Sequence, residues 1–234
     1  MKTLHKLVLC TTALITMPPL QAAQLNVLTA DARVRSDGSI SSSIDLADAG
    51  IAWKDSCYVA VIELPELSAG TEFSMADFSL MSQKYGSVTF NGDLYGLGYR
   101  TSSDVVAGDY YKGSLDATET LLQDNFLDSS MSINYVNYHT SSAGDSALTD
   151  YLNAQYTASA ADRLNGDDIY VFLRVSPDTG ATGGSYRYYN IKTADNSGTK
   201  PMLTYETAAI PEAGTLSLLA VSGIALLLFR RKRG

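Results

Sequence analysis

Between residues 24 and 205 the apolar residues recur mainly at every second position, the period of a strand with one buried face. Eight segments follow this alternation or form a continuous β-branched run, and turn-forming pairs such as Asp37-Gly38 and Asn91-Gly92 separate them. The pattern predicts strands at residues 27–35, 58–64, 73–83, 94–101, 131–138, 168–175, 186–191 and 202–205.

A helical pattern occurs once, at residues 147–161, where Leu148, Tyr151 and Leu152 share one face among good helix formers. Eight strands at turn-bounded spacing with one short helix predict an all-β domain over residues 24–206. We expect a two-sheet, jelly-roll-like β-sandwich. The sequence has no internal repeat, which argues against a propeller.

The first 23 residues have the layout of a secretory signal peptide. Lys2 and Lys6 precede a short apolar stretch, Pro18-Pro19 ends it, and small residues follow at 21–23. We expect signal peptidase to remove residues 1–23; the alternative is an amphipathic or buried N-terminal helix. Cys57 is then the only cysteine of the exported chain, so an intramolecular disulfide is excluded.

The C-terminal segment, residues 207–234, reads as a short membrane span between two signals. Pro211-Glu212-Ala213 precedes an uncharged stretch at 216–229, and a basic cluster follows: Arg230, Arg231, Lys232 and Arg233. As a helix the stretch would be about 21 Å long, against about 30 Å for a hydrocarbon core. The basic cluster would hold the C-terminus in the cytoplasm. We predict a transient span; the alternative is an ordinary single-span anchor.

This tail resembles a PEP-CTERM sorting signal, the tripartite C-terminal tag of many Gram-negative envelope proteins. Pro211 and Glu212 match the motif, and Ala213 stands where the family usually has a second proline. The resemblance implies an exosortase-type transpeptidase as processing partner. It also implies a transient stay in the inner membrane, followed by the outer cell surface or the extracellular matrix.

The region between the two ends resembles DNRLRE domains, secreted β-sandwich modules of carbohydrate-binding type. The likeness rests on the run at 58–64 ending at Pro65, the strand at 73–83, and the closing Lys-Pro-Met-Leu-Thr-Tyr at 200–205. The Asn-Arg-Leu-Arg-Glu stretch that names those domains is absent. The resemblance implies a binding or structural module and supplies no catalytic residues.

Composition and charge narrow the function classes. The chain is 45% hydrophobic and 18% charged, which excludes a disordered acidic tail and a polytopic membrane protein. Its formal charge is −8, but the two ends carry six of the 17 basic residues and one of the 25 acidic ones. The remaining domain has a net charge of −13, which repels phosphate backbones and argues against nucleic-acid binding.

Catalytic patterns are weak in this sequence. His139 is the single histidine after the signal peptide, and Cys57 is far from it along the chain, so a Cys–His pair has little support. No nucleophile elbow, phosphate loop or dinucleotide fingerprint occurs. A carboxylate pair for glycoside hydrolysis cannot be selected from so many acidic residues. We therefore predict that the protein is not an enzyme.

A cluster of four side chains with oxygen ligands suggests the hypothesis of a structural calcium site. We expect no other cofactor. The set lies around a glycine turn after the predicted helix and comprises Asp162, Asn165, Asp167 and Asp168. The alternative is a solvated turn with Asn165-Gly166 present for its backbone angles.

Two tyrosine pairs suggest sugar binding, because aromatic faces stack on pyranose rings. Tyr95 and Tyr99 lie four apart on one predicted strand, and Tyr186 and Tyr188 lie two apart on another. Each pair is expected to share a face. The alternative is that tyrosine simply suits half-buried strand surfaces.

The combined interpretation is a secreted, non-catalytic component of the cell envelope or of an exopolysaccharide (biofilm) matrix. A rival is a carbohydrate-binding module that engages matrix glycan through tyrosine-lined strands. A polysaccharide-active enzyme is a third alternative.

Overall fold

The computed structural model describes residues 24–52, 54–110, 119–178 and 186–210. Of the residues that the structure describes, 49% lie in strands and two short helices accompany them, which confirms the all-β prediction. The strands are β1 (Gln24–Val27), β2 (Ala30–Arg35), β3 (Ile40–Ser41), β4 (Leu46–Ile51), β5 (Asp55–Glu63), β6 (Thr71–Tyr85), β7 (Gly92–Arg100), β8 (Thr120–Leu127), β9 (Val136–His139), β10 (Tyr170–Pro177), β11 (Arg187–Lys192) and β12 (Met202–Ala209). The helices are α1 (Ser142–Ala158) and α2 (Ala160–Leu164).

The described strands form one curled antiparallel sheet. Its path runs β1-β12-β6-β11-β4-β5-β10-β7-β8, while β2 joins β5 and β3, and β9 joins β6. The long strand β6 pairs with β12 at Ser79 and with β11 at Ser82, and at both positions it also pairs with β9. A strand has two edges, so β9 lies on one edge of β6 and both β11 and β12 lie on the other.

Strand β5 is buried on both faces and separates two clusters of apolar side chains. Tyr58, Ala60 and Ile62 belong to the larger cluster, together with side chains from β4, β6, β10, β11, β12 and α1. The alternate residues belong to a smaller cluster, which consists of Val34, Cys57, Val59, Val61 and Phe172. Burial on both faces explains why the sequence of β5 is a continuous apolar run rather than an alternating one.

A loop after β7 covers the smaller cluster, with Val105 and Tyr110 packed against it. Two arginines of the sheet fix this loop. Arg174 donates to the Asp109 carbonyl at 3.1 Å and to both carboxylate oxygens of Glu119, at 2.7 and 2.6 Å. Arg100 pairs with the Asp109 carboxylate. The Arg174 side chain is completely buried, so its charge is compensated inside the protein.

Strands β4 and β8 were not predicted. β4 has the sequence Leu-Ala-Asp-Ala-Gly-Ile, whose alanine, aspartate and glycine are depleted in strands. Close packing of Ala47 and Ala49 in the larger cluster stabilises it instead. β8 is interrupted at Asn125, which has a positive φ of 55°. The prediction of a strand over 131–138 is wrong in extent, because only Val136–His139 pairs with β6.

Helix α1 begins five residues before the predicted start. Ser141 is its N-cap and accepts a hydrogen bond from the backbone N–H of Gly144. A second helix, α2, follows Ser159, where one helix was expected. The predicted apolar face is confirmed, since Leu148, Tyr151 and Leu152 are buried in the larger cluster.

Two side chains of α1 fasten it to the sheet. The Asn153 amide bonds both backbone groups of Phe73 in β6, at 2.9 and 2.8 Å. The Tyr151 hydroxyl bonds both backbone groups of Gly98 in β7. Gly96 allows this approach, because a Cβ at that position would lie 2.4 Å from the Tyr151 ring. Helix α1 thus covers the larger cluster between β6 and β7.

The last strand continues beyond the predicted domain boundary at residue 206. Thr207 and Ala209 of β12 pair with Phe73 and Thr71 of β6, and the Ile210 N–H donates to the Gly70 carbonyl at 2.7 Å. Folded structure therefore extends to the residue before Pro211. The sorting motif 211–213, the segment 216–229, the basic cluster 230–233 and the signal peptide 1–23 lie outside the described residues.

Candidate functional site

An exposed patch of tyrosines lies on the outer face of β6 and β11. In β11, Tyr189 and Ile191 point into the larger cluster, so Tyr188, Asn190 and Lys192 lie on the opposite face. In β6, Leu80 and Ser82 are buried, which places Gln83 and Tyr85 on the same outer face. Together with Tyr135 these residues form what we call the tyrosine face.

The register of the two strands aligns aromatic with aromatic and amide with amide. Tyr188 is opposite Tyr85, and Asn190 is opposite Gln83. The two rings stack with centroids 4.9 Å apart and planes 16° from parallel. Tyr85 is 50% exposed. Neither amide side chain hydrogen-bonds to another described residue, so both can bond an external partner.

Tyr135 lies just before β9, whose first residue, Val136, pairs with Ser82 of β6. The Lys192 ammonium is 5.0 Å from the Tyr135 ring centroid, within cation–π range. Lys192 forms no ion pair with any residue in the described part of the chain. The Tyr135 hydroxyl is buried and has no hydrogen-bond partner among the same residues.

Two phenols of the tyrosine face, those of Tyr188 and Tyr135, have pKa values above the usual value of about 10. Burial raises the pKa of Tyr188, and the charges of Tyr85, Asp48 and Tyr186 raise it further. Burial also raises the pKa of Tyr135. The nearby Asp48 carboxylate is compensated, because it pairs with Arg33 and accepts from Ser56 at 2.6 Å. The face therefore offers rings, hydroxyls, amides and one ammonium, a set suited to stacking on and hydrogen-bonding a sugar.

The predicted pair Tyr186 and Tyr188 lies at this face. Tyr188 is half-buried within the stack, and Tyr186 is 43% exposed immediately before β11. A charge on Tyr186 would raise the pKa of Tyr188 further.

The expectation that Tyr95 and Tyr99 share a face is wrong. Tyr95 is 5% exposed, donates to Asp93 at 3.1 Å and has the Arg174 guanidinium over its ring. Tyr99 instead packs against the larger cluster. The cause is a β-bulge between them, where Leu97 and Gly98 both stand opposite a single residue of β10, and Gly98 has a φ of +93°. Neither residue joins the tyrosine face.

Sequence reasoning missed Tyr85, Tyr135, Gln83 and Asn190. The alternation of β6 continues from Gln83 to Tyr85, so extending that strand by two residues would have found the ring. The pairing of Tyr85 with Tyr188 joins strands about 100 residues apart, and no local pattern encodes such a register.

The proposed calcium ligands remain a hypothesis. The Asp162 side chain bonds the Tyr99 hydroxyl, and this bond raises the pKa of Tyr99. Asn165, Asp167 and Asp168 are exposed around the turn after α2. Within the described ranges, no group of three or more histidine, cysteine, aspartate or glutamate side chains is placed to hold a metal ion.

Cys57 and His139 lie in different environments. Cys57 is completely buried in the smaller cluster. His139 is exposed on β9, with its Nδ1 2.9 Å from the Asp77 carboxylate. The structure does not bring the thiol and the imidazole together in a nucleophilic pair.

A concave surface lies between α1 and β6, away from the tyrosine face. Its volume is about 500 Å³, and acidic and small polar side chains line it. Glu72, Asp145 and Asp150 supply three carboxylates. Asp145 is already engaged, because it accepts from the Thr140 hydroxyl at 2.5 Å beside the first turn of α1. Asp145 in this acidic groove therefore already holds the start of α1 in place.

The sequence was compared with protein-family models and with curated proteins, and neither comparison found a match. Among the residues that the structure covers, no helix is both long and apolar enough to cross a bilayer.

Proposed function

We propose that this chain is an exported, non-catalytic component of the cell envelope or of an exopolysaccharide matrix, and that its domain binds polysaccharide through the tyrosine face. The observation that carries the proposal is the exposed Tyr85–Tyr188 stack beside the Gln83–Asn190 amide pair. Aromatic rings next to unengaged amides provide stacking and hydrogen bonding in the combination that carbohydrates require.

The proposed architecture is a two-sheet, jelly-roll-like β-sandwich. It is supported by the larger cluster, which collects side chains from β5, β7 and β10 and also from β4, β6, β11 and β12. The first three strands lie together on one part of the sheet path, and the tyrosine face belongs to the other part. In this arrangement the face is the outer surface of one sheet.

The proposed location follows from the two ends of the sequence. Signal peptidase would remove residues 1–23, and an exosortase-type transpeptidase would process the tail at Pro211-Glu212-Ala213. Between those steps residues 216–229 would hold the chain in the inner membrane of a Gram-negative bacterium. Afterwards the domain would reside at the outer surface or in the matrix.

Affinity electrophoresis tests the binding function. We expect the purified protein to migrate more slowly in gels that contain a matrix polysaccharide. The gels would be prepared with a series of neutral polysaccharides and a series of acidic ones. The substitutions Tyr85→Ala and Tyr188→Ala remove the stack and should abolish retardation. Tyr170→Ala is the matched control, because Tyr170 is a partly exposed tyrosine that packs against the smaller cluster.

Retardation that survives loss of both rings would refute the tyrosine face as the binding surface. Mobility unchanged in every polysaccharide would refute the binding function. Release of soluble sugar during incubation, lost on substitution of Asp150 in the acidic groove, would instead support the enzyme alternative.

A further inference from the structure

The Tyr85–Tyr188 stack has the geometry of a radical-coupling site. The rings lie directly opposite on adjacent strands, with centroids 4.9 Å apart and planes 16° from parallel. Side chains at directly opposed positions leave the same face of the sheet side by side, so the ring carbons next to the two hydroxyls can meet. Tyr85 is half exposed, so a soluble oxidant can reach it.

We propose that Tyr85 and Tyr188 are a modification site, at which a one-electron oxidant such as a peroxidase with hydrogen peroxide forms an intramolecular dityrosine. Each phenol loses one electron and one proton to give a phenoxyl radical. The two radicals join through one carbon–carbon bond between their ortho carbons. The hydrogens on those carbons then move to the oxygens and restore both phenols.

The overall reaction removes two electrons and two protons from the protein, and these reduce one hydrogen peroxide to two water molecules. One carbon–carbon bond forms, and two ring carbon–hydrogen bonds are lost. The product is lighter than the starting protein by two hydrogen atoms and has the same chain length.

The dityrosine would act as an intramolecular covalent cross-link, in place of the disulfide that the exported chain cannot form. Once residues 1–23 are removed, Cys57 has no intramolecular cysteine partner, and it is buried. The two tyrosines are about 100 residues apart, so the bond closes a long loop in the unfolded chain, as a disulfide does. It joins the last residue of β6 to β11 at an exposed end of the sheet. This inference rests on ring geometry alone and stands whether or not the face binds glycan.

The experiment treats the dilute full-length protein with horseradish peroxidase and limiting hydrogen peroxide. We expect a monomer that has lost two hydrogen masses, blue dityrosine fluorescence, and a cross-linked peptide pair containing Tyr85 and Tyr188. The cross-linked protein should also have a higher melting temperature than the untreated protein.

Phenylalanine variants provide the controls, because they keep the rings but cannot form phenoxyl radicals. Tyr85→Phe and Tyr188→Phe should each abolish the intramolecular product, while Tyr186→Phe, at the neighbouring exposed tyrosine, should leave it unchanged. An intramolecular product that persists in either of the first two variants would overturn the proposal. Oxidation that yields only intermolecular links would overturn it equally.

Discussion

Two buried ionisable residues of this protein differ in how their charge is compensated. Arg174 is completely buried, yet it meets the bidentate carboxylate of Glu119 and the carbonyl of Asp109. Asp31 is buried to a similar degree, but among the described residues it has no basic partner at hydrogen-bond distance. It accepts from the Tyr58 hydroxyl at 2.9 Å and the Ala194 N–H at 2.8 Å.

We predict that Asp31 makes the domain less stable as the pH rises from acid to neutral. Burial is the largest cause that raises the pKa of Asp31, and Asp195 adds to it. A carboxyl whose pKa is higher in the folded state favours folding below the unfolded pKa of about 4, and this contribution is lost as the pH rises through the folded pKa. Asp31→Asn can accept the same two hydrogen bonds without ionising.

Urea denaturation of both proteins between pH 3 and pH 7 measures this effect. The stability of Asp31→Asn relative to the wild type should increase toward neutral pH. Asp37→Asn is a suitable control for ordinary carboxylate behaviour. Asp37 is an exposed aspartate whose pKa is lowered by its bond with Lys54, so its substitution should show the opposite trend. A difference for Asp31→Asn that does not vary with pH would contradict the expectation.

At the scale of elements, the sequence predicted what depends on local pattern and missed what depends on distant contacts. The apolar run of β5 and the buried face of α1 are confirmed, because each of these patterns is visible among residues close together in the sequence. β4 was missed because alanine has a low strand preference. Ala47 and Ala49 form a strand here because their small side chains fit the larger cluster. The tyrosine face was found only in part, since its register joins β6 to β11.

The contact between α1 and β7 yields a prediction about Gly96. A methyl group there would lie 2.4 Å from the Tyr151 ring, so Gly96→Ala must displace the helix or the strand. We expect the free energy of unfolding to fall by about 1–3 kcal/mol, as overpacked cores generally show. Chemical denaturation monitored by far-UV circular dichroism measures the change.

Gly108→Ala is the matched control for this substitution. A Cβ at Gly108 has no described neighbour within 4 Å, and its φ is not positive, so little change is expected. Equal effects of the two substitutions would show that Tyr151 does not constrain Gly96.

For the whole molecule, the position of the domain boundary governs how much of the C-terminus can be removed. The sequence placed the end of the domain at residue 206, but β12 pairs with β6 as far as Ala209, and Thr207 is 8% exposed. The reason is that Ala208 and Ala209 have little strand preference of their own, and pairing with β6 extends the strand over them.

We predict that deletion of residues 216–234 releases a folded domain into the medium. Deletion of residues 206–234 should instead destabilise it, because the pairs from Glu206 to Ala209 with β6 are lost. Secretion, proteolytic resistance and thermal melting of the two truncated chains measure the difference. Equal melting temperatures would place the end of the stable structure at Tyr205, and loss of soluble folding in the shorter deletion would assign the tail to the domain.

The path of β12 also has a mechanical consequence. Only Ile210 separates its final residue, Ala209, from Pro211, and the Ile210 N–H is itself bonded to the Gly70 carbonyl. Pulling on the segment that begins at Pro211 therefore loads β12 along its own axis. Residues 202–205 of β12 pair with β1 on one side, and residues 202–209 pair with β6 on the other. These hydrogen bonds therefore resist such a tension together, in shear, rather than opening one after another. If the protein were tethered at this end, the load would be borne by the hydrogen bonds between β12 and its neighbouring strands.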